Sequence, residues 1–313
     1  MKGSRAPAHP RSGRARPRSA SRFRRIGPFR RIGVVAKPSV RPALTLARSL
    51  AEALLERDLD VRYDAGTAAA LGRGDGLPRE VLAREVDLVI VVGGDGTLLS
   101  VARAAPTSTP VLGINVGVLG FLAGLSRTEA LTRLDEVLAG EFREDRRERL
   151  EVTVSGGADG PRRFRALNDA VLNKEALARI STFRVELDGR AVAEFRADGI
   201  IVSTPTGSTA YNLSAGGPIL HPSLPAVVVT PICPHTLSQR PLVVPAETRI
   251  GLRLLDPPTD QGGVYLTLDG QEGLPIGPES AAEIRTDTSP ATLLRPPEAD
   301  HFRNLAEKLN WGI

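Results

Sequence analysis

Hydrophobic and polar positions divide the chain into two textures. From Ile32 to Leu138, short apolar runs alternate with stretches of helical period. Ile32-Gly33-Val34-Val35-Ala36-Lys37-Pro38 reads as a first strand, Pro42 to Glu56 as a helix, and Leu59 to Tyr63 as a short strand. Leu88-Val89-Ile90-Val91-Val92 is continuously apolar, β-branched and bounded by Gly-Gly, the pattern of a strand buried on both faces of a parallel sheet. Past Gly93-Gly94-Asp95-Gly96 the period changes. Leu98, Val101, Ala102 and Ala105 fall on one helix face, with Thr97 placed to cap it. Val111 to Asn115 is another strand, and Arg127 to Leu138 a helix with Leu131, Leu134 and Leu138 on its apolar side. Strands alternating with helices predict a three-layer α/β domain with a parallel sheet.

After Arg146-Arg147-Glu148-Arg149 the period drops to two. Leu150, Val152 and Val154 alternate with polar residues. Phe183, Val185 and Leu187 run into Asp188-Gly189, and Ala191, Ala193 and Phe195 lead away, which is a hairpin signature. Further strands are expected at Ile200–Ser203, Ala226–Thr230, Thr248–Leu255, Val264–Leu268 and Ala282–Thr286, with Thr209–Ser214 the place for a short helix. The second domain is therefore mostly β, a sandwich or layered sheet. Phe302, Leu305 and Leu309 then share one side of a terminal helix, expected to pack on another element, with the first domain as candidate. The predicted layout is a tail at 1–31, an α/β domain at 32–148, a β domain at 149–294 and a C-terminal segment at 295–313.

Composition changes this picture in two places. The net charge of +5 resides in the tail: residues 1–31 hold Lys2, ten arginines and no acidic residue, so the remainder carries −6. The Arg-, Ser- and Pro-rich tail has little to bury and is expected to be disordered. A mildly acidic body argues against a broad nucleic-acid-binding face. No apolar run approaches the ~18 residues of a membrane-spanning helix. Cys233 is the only cysteine, which excludes an internal disulfide and points to a reducing, cytoplasmic setting. It is expected to be buried and inert.

The chemistry concentrates in two stretches. Gly93, Gly94, Asp95 and Gly96 form the turn from a strand's carboxyl end to a helix's amino end, where open α/β sheets bind ligands. Glycines admit a ligand close to the backbone, and the N–H groups of a helix start favour phosphate. With Thr97 they make a phosphate turn. A carboxylate there repels the anion, so Asp95 needs a purpose: to accept a proton from a hydroxyl attacking that phosphate, or to hold the accompanying Mg²⁺. A plain helix N-cap is the alternative. The turn is not a Walker loop, since no Lys-Ser/Thr follows.

The second stretch, Asp198 to Ser214, carries five clustered hydroxyls around Pro205-Thr206-Gly207. Hydroxyls and glycine N–H groups bind sugar and phosphate oxygens without added charge, Tyr211 offers a ring or a hydroxyl, and Asp198 suits a ribose diol. Equally, such a turn satisfies itself through Ser/Thr-to-backbone bonds.

Gly93-Gly94-Asp95-Gly96-Thr97, Asn168-Asp169, Asp198-Gly199 through Ser214, and Thr230-Pro231-Ile232-Cys233-Pro234-His235 resemble the successive motifs of the NAD kinases. So do Asp269-Gly270-Gln271 and Leu309-Asn310-Trp311-Gly312, in the same order over residues 32 to 313. The glycine turn alone is shared with diacylglycerol, sphingosine and phosphofructo-kinases; Thr204-Pro205-Thr206-Gly207-Ser208-Thr209-Ala210-Tyr211 is far more specific. The resemblance implies phosphorylation of the adenosine ribose 2′-hydroxyl of NAD by ATP or polyphosphate, giving NADP. It implies Asp95 as proton acceptor, and Asp95, Gly96, Asn168, Asp169, Arg179, Arg196, Asp198, Thr209, Ala210, Tyr211, Asn212, Leu213, Ser214 and Gln271 as nucleotide contacts. Mg²⁺ is expected to travel with the donor phosphates, so no metal-ligand cluster is expected in the chain. A homodimer or homotetramer is implied, with neither a membrane nor a specific nucleic acid as partner.

Two positions depart from the family's habit. Val118 stands where a polar or basic residue often follows the glycine, and Asp169 is one methylene shorter than the common Glu. Asp269 is expected in a solvated Asp-Gly turn, and His235 in a structural role. A lipid kinase shares the glycine turn, but the body shows no basic amphipathic helix for a membrane surface. A non-catalytic dinucleotide sensor has no use for Asp95.

Overall fold

The computed structural model describes residues 27–117, 120–156, 160–175, 180–236, 238–255 and 263–311. Most of the expected tail lies outside the described residues, as do Val118 and Arg179. The predicted tail overlaps the first domain: Phe29 is buried in that domain's core, and the N–H groups of Arg30 and Arg31 donate to the Asp87 carboxylate.

The first domain comprises β1 (Arg31–Ala36), α1 (Arg41–Leu55), β2 (Asp60–Tyr63), α2 (Ala65–Ala70), α3 (Arg79–Glu85) and β3 (Leu88–Val92). It continues through α4 (Asp95–Ala104), β4 (Val111–Asn115), β5 (Leu125–Ser126), α5 (Glu129–Thr132), α6 (Leu134–Leu138) and β6 (Arg143–Arg147). The second holds β7 (Leu150–Ser155), β8 (Arg162–Ala166), β9 (Asp169–Lys174), β10 (Ser181–Leu187), β11 (Arg190–Ala197) and β12 (Gly199–Ser203). After a 3₁₀ turn at Gly207–Thr209 come α7 (Tyr211–Ser214), β13 (Ala226–Ile232), β14 (Leu242–Pro245), β15 (Ile250–Leu254), β16 (Val264–Leu268), β17 (Glu272–Ile276) and β18 (Ala281–Thr286). β19 (Ala291–Arg295) and α8 (His301–Leu309) close the chain.

The N-terminal sheet has the order β2-β1-β3-β4-β19-β6, with β5 added on β4. Its strands are parallel except β6, which runs antiparallel to β19. Alternate residues face opposite layers, as a strand's period of two requires. Val34, Ile90 and Leu112 pack with α1, whereas Val35, Val89 and Val91 pack with α3 and α4. The second domain stacks two antiparallel sheets, β11-β10-β15-β18-β7-β8 and β14-β13-β12-β9-β16-β17, around one shared apolar core. The Asp188-Gly189 hairpin closes as expected, both residues at positive φ.

Four expectations are corrected. Asp95, not Thr97, opens α4: Gly94 stands at the N-cap with no side-chain bond, and Thr97 packs against Gly93 instead. The helix at 127–138 is broken in two at Arg133, and Ala130, Leu134 and Val137 are its buried residues while Leu131 is exposed. In α8 Leu305 and Ala306 are buried but Phe302 is exposed, near the His221 ring. The return to the first domain begins at Ala291, ahead of the predicted boundary, because β19 is inserted between β4 and β6. Among the described residues no helix is long and apolar enough to cross a membrane.

Candidate active site

β3 ends at Val92, and Gly93-Gly94 turn the chain into α4, so Asp95 occupies its first position. The half-buried Asp95 carboxylate lies on the backbone that follows β4. Its Oδ2 accepts the N–H of Phe121 at 2.8 Å and its Oδ1 that of Leu122 at 3.3 Å. Gly120 makes this approach possible, since a β-carbon there would collide with the carboxylate. Each oxygen keeps acceptor capacity beyond its one N–H, because a carboxylate offers about four lone-pair sites. The Thr97 and Leu98 N–H groups donate to the Gly94 carbonyl, and the N–H groups ahead of them, at the very start of the helix, suit the turn to an anion.

The second domain brings Asn168 and Asp169 to the start of β9, beside β12 and β16. Asp269, at the β16–β17 turn, has a wholly buried side chain. Its carboxylate accepts the N–H groups of Leu167, Asn168 and Asp169 and faces the Arg103 guanidinium of α4 at 3.7 Å. This corrects the solvated turn expected there. Asp269 and Gly270 do adopt the positive φ of a tight hairpin, but the side chain folds inward as an anchor. Burial raises its affinity for a proton, while the three N–H donors and Arg103 oppose that rise. Asp169 is also buried, and burial together with the neighbouring Asp269 charge pushes its pKa up to about 7. Asp269, with its donors, is the better placed of the two to keep the negative charge.

The hydroxyl-rich loop turns most of its hydroxyls inward. Thr204 Oγ1 donates to the Leu167 carbonyl at 2.6 Å and Ser208 Oγ to that of Pro205 at 2.7 Å. Thr206 Oγ1 accepts from Arg147 of β6, and Thr209 Oγ1 donates to the Thr206 carbonyl at 3.4 Å. Of the two readings of this stretch, self-satisfaction describes these side chains. Asn212 is fully buried, its amide bonded to the carbonyls of Ser208 and Pro218 and to the Thr230 hydroxyl. As found, it fastens the segment and presents no amide to a ligand. Thr209, Ala210 and Leu213 are partly exposed, and Tyr211 and Ser214 are exposed.

Ala215, just after α7, packs on Val171, Ile201 and Ile232 on the outer face of the second sheet. Burial raises the Tyr211 pKa, and the charges of Cys233, Asp169 and Asp198 add to the rise. Asp198 itself lies 3.6 Å from the Lys174 ammonium. Arg196 is exposed on β11, and His235 is exposed with its N–H on the Arg196 carbonyl. Cys233, expected to be buried, is exposed and at positive φ beside this surface.

The two halves meet at the β16–β17 turn. Gln271 Nε2 donates to the Gly96 carbonyl at 2.6 Å. Arg103 reaches across to Glu272 as well as to Asp269. The structure thus joins the glycine turn to Gln271 and sets Tyr211 within electrostatic reach of both Asp169 and Asp198, which lie toward opposite ends of the β9–β12 pairing. Arg103, the Phe121 and Leu122 amides and the Asp269 anchor were not singled out for these roles by sequence. An apolar residue pattern says nothing about which backbone N–H a distant carboxylate will find.

Models of the ATP-NAD kinase N-terminal domain and of the ATP-NAD kinase C-terminal domain match residues 32–142 and 167–295 respectively. An NAD kinase of Solibacter usitatus is 42% identical over 281 residues, 90% of this chain and 97% of that protein. An NAD kinase of Syntrophotalea carbinolica is 43% identical over 288 residues, 91% and 99% of the two chains. Among solved structures, yeast NADH kinase complexed with NADH superposes with a TM-score of 0.82 at 26% identity, covering 91% of this chain and 88% of that one. An NAD kinase from Archaeoglobus fulgidus in complex with ATP gives 0.70 at 27% identity, covering 90% and 98%.

Proposed function

The chain belongs to the NAD kinase family, and from that membership we infer that it phosphorylates NAD to NADP, moving the terminal phosphoryl group of ATP or polyphosphate to the 2′-hydroxyl of the adenosine ribose. The structural observation that supports the reading is the 2.6 Å latch from Gln271 to the Gly96 carbonyl, which ties the glycine turn to the β16–β17 turn, whose Asp269 fastens Asn168 and Asp169.

In-line phosphoryl transfer leaves the protein little covalent work, so positioning and charge stabilisation dominate. Asp95 takes the 2′-hydroxyl proton, a role worth roughly 10²–10⁴ in rate, or about 3–5 kcal/mol of barrier. Holding the ribose in line with the donor supplies up to ~7–11 kcal/mol. We assign that task to Asn168, Asp169, Asp198, Tyr211 and the exposed rim of Thr209–Ser214, with Asn212 and Gln271 fastening the frame. Arg196 stands at the exposed edge of β11 for an outlying group of the substrate.

Among the described residues no group of three or more His, Cys, Asp or Glu is placed to hold a metal by itself. A Mg²⁺ carried on the donor phosphates needs no such group, and Asp95 is the carboxylate present in the glycine turn to meet it. Held there, such a cation would offset the charge of the donor phosphates. A cytoplasmic location rests on cysteine usage. Assembly as a homodimer or homotetramer rests on the likeness to the family, and sedimentation of the purified chain tests it.

The deciding assay supplies purified protein with Mg²⁺ and NAD, and ATP or polyphosphate separately, coupled to an NADP-specific dehydrogenase. NADP should form with at least one donor. No NADP from either donor, with NAD still bound, would return the chain to the class of dinucleotide sensors.

A further inference from the structure

Arg295 ends β19, the strand that brings the chain back into the first domain, and it is 8% exposed. Its guanidinium Nη1 donates to the Ala123 carbonyl at 2.6 Å, Nη2 to the Phe121 carbonyl, and Nε to the Asp145 carboxylate at 3.3 Å. The Phe121 carbonyl and the Leu122 N–H belong to the same peptide unit. That N–H, with its neighbour on Phe121, holds the Asp95 carboxylate. One peptide therefore lies between a guanidinium on its oxygen and a carboxylate on its nitrogen.

We infer that Arg295 is a positioning residue for Asp95, acting through the Phe121–Leu122 backbone. The inference rests on the reading of Asp95 as the proton acceptor. Two carbonyls gripped by one planar fork leave the 121–123 backbone little freedom to rotate, because a guanidinium's donors are fixed relative to one another. Rotation of the Phe121–Leu122 peptide would withdraw an N–H from Asp95. A cation at the carbonyl end also polarises the peptide so that its N–H donates more strongly. Burial and the nearby Arg147 lower the affinity of Arg295 for its proton, and Asp145 and Asp95 are the anions that offset this. A buried cation is costly unless paired and hydrogen-bonded. Arg295 meets that cost with two backbone carbonyls that lie directly behind the catalytic carboxylate.

The test is a double-mutant cycle in the NADP-coupled assay. Arg295→Met keeps the bulk and removes both carbonyl bonds. The expected result is a fall in kcat of about 10-fold to 10²-fold, the scale of a small misplacement at a reacting centre, with KM for NAD within about twofold because an interaction that orients the base acts in the transition state rather than in binding. In an Asp95→Asn background the same change should cost almost nothing further, since residues acting through one another are not additive. Arg295→Lys, which keeps the charge and reaches one carbonyl, should recover part of kcat and serves for the cycle if the methionine variant does not fold. Asp145→Asn, which leaves both carbonyl bonds, should lower the melting temperature and leave kcat within about twofold, as expected for a partner outside the relay.

Two results overturn the inference. One is a folded Arg295 variant with wild-type kcat. The other is an equal loss in the wild-type and Asp95→Asn backgrounds, which would make Arg295 structural only. Full activity of Asp95→Asn by itself would instead sink the reading of Asp95 as the base.

Discussion

The glycine turn at the start of α4 and the carboxylate pair at the head of β9 put the same side chain to opposite uses. Asp95 is half-buried at a helix start, with two backbone N–H groups on its oxygens and room for a further partner. Asp169 is buried beside a second carboxylate and rises to about 7, where it retains a proton through most of the acidic range. Asp269, next to it, has three N–H donors and Arg103 to hold its charge. In the proposed mechanism the carboxylate at the first location would accept a proton, and a protonated carboxyl at the second would donate a hydrogen bond to a ligand. Environment, not residue type, sets the role.

Replacing Asp95 by Asn should break the first half of that contrast. Turnover is expected to fall by roughly 10²–10⁴ with KM for NAD and the melting temperature nearly unchanged; steady-state kinetics beside a thermal melt decide it. An active variant ends the assignment.

The second half has a thermodynamic signature. The Asp169 carboxyl takes its proton at about 7 in the folded chain, against the ordinary value of 3.8. Between these values the folded state binds more protons, so stability falls as pH rises and levels off above about 7. The loss amounts to up to about 4 kcal/mol. Asp169→Asn should abolish this slope, so that variant and wild type match best near pH 4 and diverge toward pH 8 in denaturant titrations, as linkage requires. Parallel curves would mean that Asp169 is an ordinary carboxylate.

Gly120→Ala sharpens the comparison without replacing either carboxylate. The added methyl occupies the space of the Asp95 carboxyl group, which has to swing off the Phe121 and Leu122 amides. We expect kcat to fall by about 10²-fold while the pH slope due to Asp169 stays as in wild type. Retained kcat would show that those amides do not orient the base.

The smallest effect belongs to the latch. Gln271→Ala removes one exposed hydrogen bond to the Gly96 carbonyl, worth about 0.5–1.5 kcal/mol. Its expected effect is a loss of kcat/KM of up to about tenfold, with both carboxylates otherwise behaving as in wild type. A larger loss would indicate that Gln271 touches substrate directly.

Patterning predicted much of this architecture because burial leaves a period. β3 is apolar at all five positions since it lies inside a three-layer domain, and the Phe183–Phe195 hairpin alternates since one face meets the core. β6 escaped notice for the opposite reason. Its sequence is Arg-Glu-Asp-Arg-Arg, an edge strand whose side chains pair with one another and with Arg295. β19 mixes Thr292 and Arg295 with apolar residues although all five positions are buried, and only its place between β4 and β6 reveals it as part of the first domain.

The residues alone determined the two-domain order, the turn that carries Asp95 and the strip from Asp198 to Ser214, because glycine, β-branched and hydroxyl residues act over a few neighbours. Only the tertiary structure decided that Asp269 is an anchor rather than a solvated turn, that Asn212 fastens its own segment, and that Arg295 stands behind Asp95. The roles of Asp269 and Arg295 depend on which backbone groups meet across more than a hundred positions of chain, from Asp269 to Leu167 and from Arg295 to Phe121, and that of Asn212 on how its loop folds back on Pro218 and Thr230. Hydrogen bonding over such separations is settled by packing, and local spacing does not encode it.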